Sequence, residues 1–344
     1  MKTTVFLLSK LKGLDMKKIV WLFAPAALVV MFLSINIEPP LQRTSCTGIS
    51  VTKNGVALFG NNEDYYPSYD YKIWFLPAGN GKYGTVYWGH NNTYAQGGMN
   101  DQGLCFDGYG TPRINLEFPS DKIPFNGNLT DKIMRECATV DEAIELINIY
   151  RYDVLRNVGQ LMFADKTGKS MIVGGWNSTH DDIAIIQKTK TYQIVTNYFL
   201  LSPSLGGYPC WRYDTAKRML EQNDDATIEN VRSILDAVHI RENGQQCTTL
   251  YSFICDLQNL DIYFYYFHDF EKVVKFNLVE ELQKGNRYFS ISSMFTNSDQ
   301  DQNPDNNYDH SEGNTGGKGG CGFGTGTMCI GTAGLFLCFF FRGK

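Results

Sequence analysis

An α+β fold dominated by antiparallel strands is the architecture this sequence predicts. Short runs of β-branched and aromatic residues recur along the middle of the chain. Tight-turn signals join neighbouring runs, as at Asn54-Gly55 and in "DKTGKS" (165–170). Helical periodicity is confined to a few stretches lying between groups of strands, which is the segregated pattern of α+β rather than a βαβ alternation.

Taken in order, the predicted strands are "GISVT" and "VALFG" on either side of Asn54-Gly55, then "QLMFAD", "SMIVGGW", "IAIIQK" and "YQIVTN". "TLYSFICDL", "DIYFYYFHD" and "KVVKFNL" follow. A helix is expected over Thr139–Tyr150, opened by the capping box Thr139-x-x-Glu142. A second is expected from Thr227 to about Ile240, with Ile228, Val231, Ile234, Leu235 and Val238 on one face. A third fits Tyr213–Gln222. Asn100 is expected to cap the Gly-rich turn that follows it.

Both ends read as something other than fold. Met16-Lys17-Lys18 precedes the unbroken apolar run "IVWLFAPAALVVMFLSI" and the polar spacer "NIEPPLQRTS", the pattern of an export signal followed by a removable segment. Residues 1–45 are therefore assigned to signal and propeptide, and 46–293 to the folded body. Residues 294–320 are polar, acidic and Gly-rich, a composition that favours an unfolded linker. Residues 321–344 are uncharged up to Phe341 and end "RGK", which suits a membrane anchor or a surface-sorting tag with the body facing outward. An exported protein, held at a membrane or cell surface through this tail, is the expectation.

With 344 residues, 43% hydrophobic and a net charge of −5, the chain can build a sizeable core and has no basic face for nucleic acid. Its nine cysteines are odd in number and scattered, with no C-x-x-C pair, which argues against a disulfide framework and a zinc site. No metal or cofactor is expected. The five histidines share no motif, so a Cys–His pair has little support.

The stretch "TSCTGISVTKNGVALFGNNEDYY" (44–66) carries the chemistry. A two-residue Asn54-Gly55 turn pairs Lys53 with Val56 and sets Cys46 opposite Glu63; a three-residue loop sets it opposite Asp64. Either way a carboxyl group returns to Cys46. A carboxylate does not help a neighbouring thiol ionise, so a base is needed. Cutting the Ser45–Cys46 bond would supply one, because a free α-amine beside the thiol can take its proton. The acid then serves to hold the ammonium.

These residues resemble the N-terminal-nucleophile amide hydrolases of the choloylglycine hydrolase and penicillin V acylase group, with the related isopenicillin N acyltransferase and acid-amidase families. "CTGISV…GNNED", "GGMNDQGLCFDG" (97–108), "MFADKTGKSMIV" (162–173), "IVTN" (194–197) and "CWRYDTA" (210–216) resemble its blocks in the same order. The resemblance implies a four-layer α-β-β-α sandwich of two antiparallel sheets. It implies Cys46 as nucleophile and, through its amine, base, and Asp64 as the residue orienting that amine. It further implies Asn197 as oxyanion donor and Arg212 as a cation near Cys46 that lowers the thiol pKa. Two positions depart from the bile-salt hydrolases: Asn61 replaces an arginine, and Tyr109-Gly110 stands where a second oxyanion asparagine is expected. Tyr109, Asn61 and Tyr65 are thus the further substrate or oxyanion candidates.

The implied reaction is hydrolysis of a linear C–N amide through a thioester, the substrate being a small N-acyl amide. Acyl transfer to an amine is the alternative within enzymes, and an inactive surface binding domain the alternative outside them. Loops expected at "YYPSYDYKIWF" (65–75) and "NYFLLSPSLGGYPCW" (197–211) flank the site with aromatics and suit an apolar or aromatic acyl group, and the two departures argue against bile salts.

Overall fold

A computed structural model of the chain describes residues 45–90, 94–112, 114, 116–174, 183–241 and 247–296. Residues 1–44 of the expected signal and propeptide, most of the linker and the apolar tail lie outside these. Among the described residues no helix is long and apolar enough to cross a membrane.

The hairpin at the head of the body sets the register of everything around it. β1 (Thr47–Lys53) and β2 (Val56–Tyr65) pair antiparallel with Lys53 opposite Val56 and Thr47 opposite Asn62. Asn54 and Gly55 have φ of 54° and 79°, the doubly positive pair that a two-residue turn needs to match strand twist. Of the two registers open from the sequence, the one that sets Cys46 against Glu63 is the one formed.

β10 (Tyr192–Val195) flanks β1, and β11 (Thr248–Asp256), β12 (Asp261–Tyr266) and β13 (Asp269–Asn277) continue beyond β2, giving a six-stranded sheet in the order β10-β1-β2-β11-β12-β13. The second sheet has eight strands. It contains β3 (Lys72–Leu76), β4 (Thr85–Gly89), β5 (Gly97–Asn100), β6 (Cys105–Gly110), β7 (Gly159–Ala164), β8 (Ser170–Gly174), β9 (Ala184–Gln187) and β14 (Arg287–Ser290). Its order is β14-β3-β4-β5-β6-β7-β8-β9. Every neighbouring pair of strands in both sheets is antiparallel.

Three layers of apolar contact hold the sandwich. Phe59, Phe253 and Phe264 of the first sheet meet Phe75, Trp88 and Met162 of the second in the inter-sheet core. Helices α1 (Leu129–Glu136) and α2 (Val140–Ile149) cover the outer face of the eight-stranded sheet, burying Ile133, Met134, Ala143 and Ile147 against Phe106, Phe163 and Val173. Helices α3 (Trp211–Gln222) and α4 (Ile228–Val238) cover the other sheet, with Val231, Ile234, Leu235 and Val238 on Ile49, Leu58 and Ile254. The four-layer sandwich that the resemblance implied is therefore the fold present. Thr139 caps α2 by accepting from Glu142 N at 3.3 Å, and Glu142 in turn accepts from Ala138 N at 2.6 Å. Asn100 caps its turn, accepting from Gln102 N and Leu104 N, and ties that turn to α1 through Met134 O and Cys137 O. The packed body runs a little further than expected, since Phe295 stacks on Tyr266 with ring centres 5.5 Å apart.

Candidate active site

Strand alternation sorts the residues around Cys46 onto two faces. Thr47, Asn62 and Asp64 point toward the helices α3 and α4. Cys46, Gly48, Asn61 and Glu63 point between the sheets. A β-bulge in β11 serves both faces: Thr249 pairs with Asp64 and Tyr251 with Glu63, with Leu250 as the extra residue.

On the helix side one guanidinium gathers the site. Arg212, in the first turn of α3, is buried and donates from Nη1 to the Cys46 carbonyl oxygen and, at 2.8 Å, to Thr47 Oγ1. Its Nη2 donates to Asn197 Oδ1 at 3.0 Å, and Nη1 lies 3.9 Å from Asp64 Oδ2. Asp64 Oδ1 accepts from Thr249 Oγ1 at 2.5 Å, while Oδ2, fully buried, has no hydrogen-bond partner among the described residues. Burial pushes the Asp64 carboxyl up to about 7, against the pull of Arg212 and Thr249. Asn197 lies just past the end of β10 and donates from Nδ2 to Gly110 O at 2.9 Å, so the two segments implied as oxyanion donors meet. Cys46, Asp64, Asn197 and Arg212, drawn from four separate segments, are thus brought together.

On the inter-sheet side the Cys46 thiol donates to Glu63 Oε2 at 3.5 Å. Glu63 Oε1 accepts from Tyr71 OH at 3.3 Å, Tyr71 OH meets His90 Nε2 at 3.3 Å, and that nitrogen meets Gln96 Nε2 at 2.6 Å. Burial first, then the neighbouring Asp64 charge, pushes Glu63 up to about 8. His90 is pushed down to about 4 by burial and is neutral near pH 7. Asp107 is buried as well and accepts from Trp88 Nε1 at 3.1 Å.

The further candidates fall on this same face. Asn61 is wholly buried, and neither atom of its amide has a partner among the described residues. The hydroxyls of Tyr109 and Tyr251 are likewise buried and unpartnered among them. Gly48, directly opposite Asn61, is what admits Tyr109: a Cβ there would lie 1.9 Å from the tyrosine oxygen. Tyr65 is buried too, and forms an aromatic wall edge-on to Tyr66, Tyr69 and His90 with centroids 4.8–5.1 Å apart.

Beside the lowering that Arg212 is expected to exert, the Cys46 thiol of the uncut chain is pushed well up. The causes are burial first, then the charges of Glu63 and Asp64. The guanidinium is spent on the carbonyl, Thr47 and Asn197, on the opposite side of the strand from Sγ. The sequence reading also passed over Thr249, Tyr71, His90, Gln96 and Tyr251. Glu63 had a signal, since the Asn54-Gly55 register put it opposite Cys46; the others arrive through pairings that leave no local mark. Among the described residues, no cluster of three or more His, Cys, Asp and Glu is arranged to hold a metal.

Among solved structures the fold is similar to two forms of conjugated bile acid hydrolase from Clostridium perfringens. One, a mutant, has a TM-score of 0.54 and the other, a variant, 0.55; each is 17% identical over 71% of this chain and 96% of its own. It is also similar to penicillin V acylase from Agrobacterium tumefaciens, with a TM-score of 0.53 and 15% identity over 72% of this chain and 90% of that one. No curated protein matches the sequence. A family model described as acyl-coenzyme A:6-aminopenicillanic acid acyl-transferase matches residues 50–312, starting within β1, four residues beyond Cys46, and running past β14. The chain belongs to the acyl-coenzyme A:6-aminopenicillanic acid acyl-transferase family.

Proposed function

We propose that the chain is a cysteine N-terminal-nucleophile hydrolase of linear amides, matured by cutting its own Ser45–Cys46 bond. The observation that carries this is the meeting of Cys46, Thr47, Asn197 and Asp64 on the single guanidinium of Arg212. Asp64 Oδ2 adds to it as a buried acceptor with no partner among the described residues, matched to an ammonium.

In the mature protein the Cys46 amine takes the thiol proton and Sγ bonds to the amide carbon of the substrate. Asn197 Nδ2 exchanges Gly110 O for the developing oxyanion, a donor worth about 10²–10³ in rate. The second donor is a backbone N–H or the Tyr109 hydroxyl. The ammonium returns its proton to the leaving nitrogen as the C–N bond breaks, leaving a thioester. Water, deprotonated by the same amine, then releases the acid. An acceptor amine in place of water would make the same intermediate a transferase, a reading that the family's acyl-transferase members support.

The substrate class is a small N-acyl amide. The relatives named for conjugated bile acid and penicillin V support it. The aromatic wall of Tyr65, Tyr66 and Tyr69 suits an apolar or aromatic acyl group, and Asn61 and Gly110 argue against bile salts. We further infer export, with the body tethered through residues 321–344.

Mass spectrometry of the mature N-terminus together with a panel of N-acyl amides tests the proposal. A chain beginning at Cys46 that releases free acid is expected, with Cys46→Ala both uncut and inactive. A fully active protein that begins elsewhere would defeat it.

A further inference from the structure

Glu63 is a buried carboxyl touching the nucleophile, and the turnover above gives it no work. That turnover uses the Cys46 amine as base. In the uncut chain the same nitrogen is an amide and takes no proton, so cleavage of Ser45–Cys46 by Cys46 needs another base. The side-chain partner of Sγ is Glu63 Oε2 at 3.5 Å. Asp64 is turned to the other face, where Thr249 and Arg212 hold it. The remaining Glu63 oxygen is fixed by Tyr71, and Tyr71 leads to His90 and Gln96, which are only half-buried.

We propose that Glu63 takes the thiol proton of Cys46 while Cys46 is still bonded to Ser45, and so drives cleavage of that bond. The role rests on the N-terminal-nucleophile reading above.

The step balances without a co-reactant other than water. The Glu63 carboxylate takes the proton from Sγ, and Sγ bonds to the Ser45 carbonyl carbon. The C–N bond then breaks, and the nitrogen leaves as the Cys46 amine with the proton that Glu63 returns. The Ser45 acyl group now sits on Sγ as a thioester. Water hydrolyses it, its hydroxyl going to the Ser45 carbon and its remaining proton to Sγ.

The surroundings favour transfer over free ionisation. Burial holds the thiol well above its usual range, and a thiolate beside an ionised Glu63 would bury two like charges. Passing the proton from Sγ to Glu63 keeps the count at one. Asp107 and Tyr109 face this pair from β6, and Tyr251 and Cys247 from β11 and the residue before it. Tyr71 and neutral His90 face it from the segments beside β3 and β4. From β2 itself come Tyr65 and Asp64, with Arg212 beyond. Glu63 is a base only when ionised, so cutting speeds up as pH rises toward about 8 and falls roughly tenfold per unit below it.

The test follows cutting of the newly synthesised full-length chain by mass spectrometry across pH. Glu63→Gln keeps the size and a partner for Tyr71 but accepts no proton. It is expected to slow cutting by about 10² or more and to remove the rise with pH. Tyr71→Phe, a milder change that covers the case of a Glu63→Gln chain that fails to fold, removes a bond that stabilises the carboxylate. It should move the rise to higher pH. Cutting at the wild-type rate in Glu63→Gln, or an unmoved pH limb in Tyr71→Phe, overturns the role. A chain made to start at Cys46 bypasses the cut. If that chain hydrolyses no amide while Glu63→Gln still blocks cutting, the function reading fails and the Glu63 role stands. A wild-type chain that is never cut overturns both.

Discussion

Asn61 and Asn62 are neighbours in β2, both wholly buried, and their side chains live in opposite circumstances. Asn62 faces the helices, where Nδ2 donates to Leu235 O at 2.8 Å and Oδ1 accepts from Ser252 Oγ at 2.7 Å. Asn61 faces the other sheet and neither amide atom is partnered among the described residues. The same contrast holds across the strand pair. The helix side is a closed network in which almost every polar atom is used. The inter-sheet side keeps Asn61, Tyr109 and Tyr251 in reserve beside a buried thiol and carboxyl. Buried polar groups without partners cost stability, so a fold that keeps several together is holding capacity for something else. We read the helix side as the frame and the inter-sheet side as the working surface.

Asp64 connects them, since its Oδ2 is an unpartnered acceptor on the closed side among the described residues. Asp64→Asn should therefore have the largest effect, lowering turnover by about 10² or more because the Cys46 amine loses the charge that holds it. Arg212→Ala should act as strongly, by freeing Asn197 and the Cys46 carbonyl together. Steady-state kinetics on the best N-acyl amide measure both. Near-normal rates in the two variants would mean that the network around Arg212 is scaffold alone.

The two asparagines test the contrast directly. Asn62→Ala strands the Leu235 carbonyl and the Ser252 hydroxyl, each at about 1–3 kcal/mol, and should lower stability clearly. Asn61→Ala breaks no hydrogen bond among the described residues and should stay within about 1 kcal/mol of wild type, while kcat/KM falls roughly 2–10-fold. Denaturant unfolding beside kinetics reads the pair. Equal stability losses would erase the distinction between the faces.

The pH dependence of stability gives a smaller signal from the same cluster. Glu63 and Asp64 have folded values of about 8 and 7, against ordinary values of 4.5 and 3.8. Both are raised, so their contribution is present in full below about pH 4 and is lost as pH rises through 7 and 8, where the unfolded chain holds fewer protons. In the uncut Cys46→Ala chain, melting temperature should fall across that window, and adding Glu63→Gln should flatten the fall. For a body of this size each 1 kcal/mol appears as about 2–4 °C. A flat profile in the parent would show that these carboxyls titrate normally.

The legible parts of this molecule are those whose geometry is local. A two-residue Asn-Gly turn fixes a register, so counting outward from Asn54 reaches the Cys46–Glu63 contact. Amphipathic period and caps marked α2 and α4. The strands β5 and β6 left little trace because glycine, asparagine and aspartate interrupt the β-branched and aromatic pattern in "GGMN" and "CFDGYG". Tyr251 comes to Glu63 from a strand paired over a long sequence distance, whereas Tyr71, eight residues on from Glu63, and His90, which meets Tyr71, arrive from segments outside the strands. The roles of Asp64, Asn197 and Arg212 came by resemblance; spacing alone would not have joined residues 64, 197 and 212.

Tyr109→Phe should have the smallest effect on the frame and is the finest probe of the working surface. The hydroxyl is buried, has no partner among the described residues, and sits against Gly48 across from Asn61. Removing an unpartnered buried hydroxyl relieves a desolvation cost and leaves the ring packing intact, so stability should be unchanged or slightly higher. If the oxygen instead meets the oxyanion, turnover should fall by up to about 10² while KM holds, because a donor that engages only the transition state acts on kcat. A rise in KM at constant kcat would assign the hydroxyl to ground-state binding of the acyl group. No change in either parameter, with raised stability, would place the second donor on a backbone N–H and leave Tyr109 as packing for the glycine strand opposite.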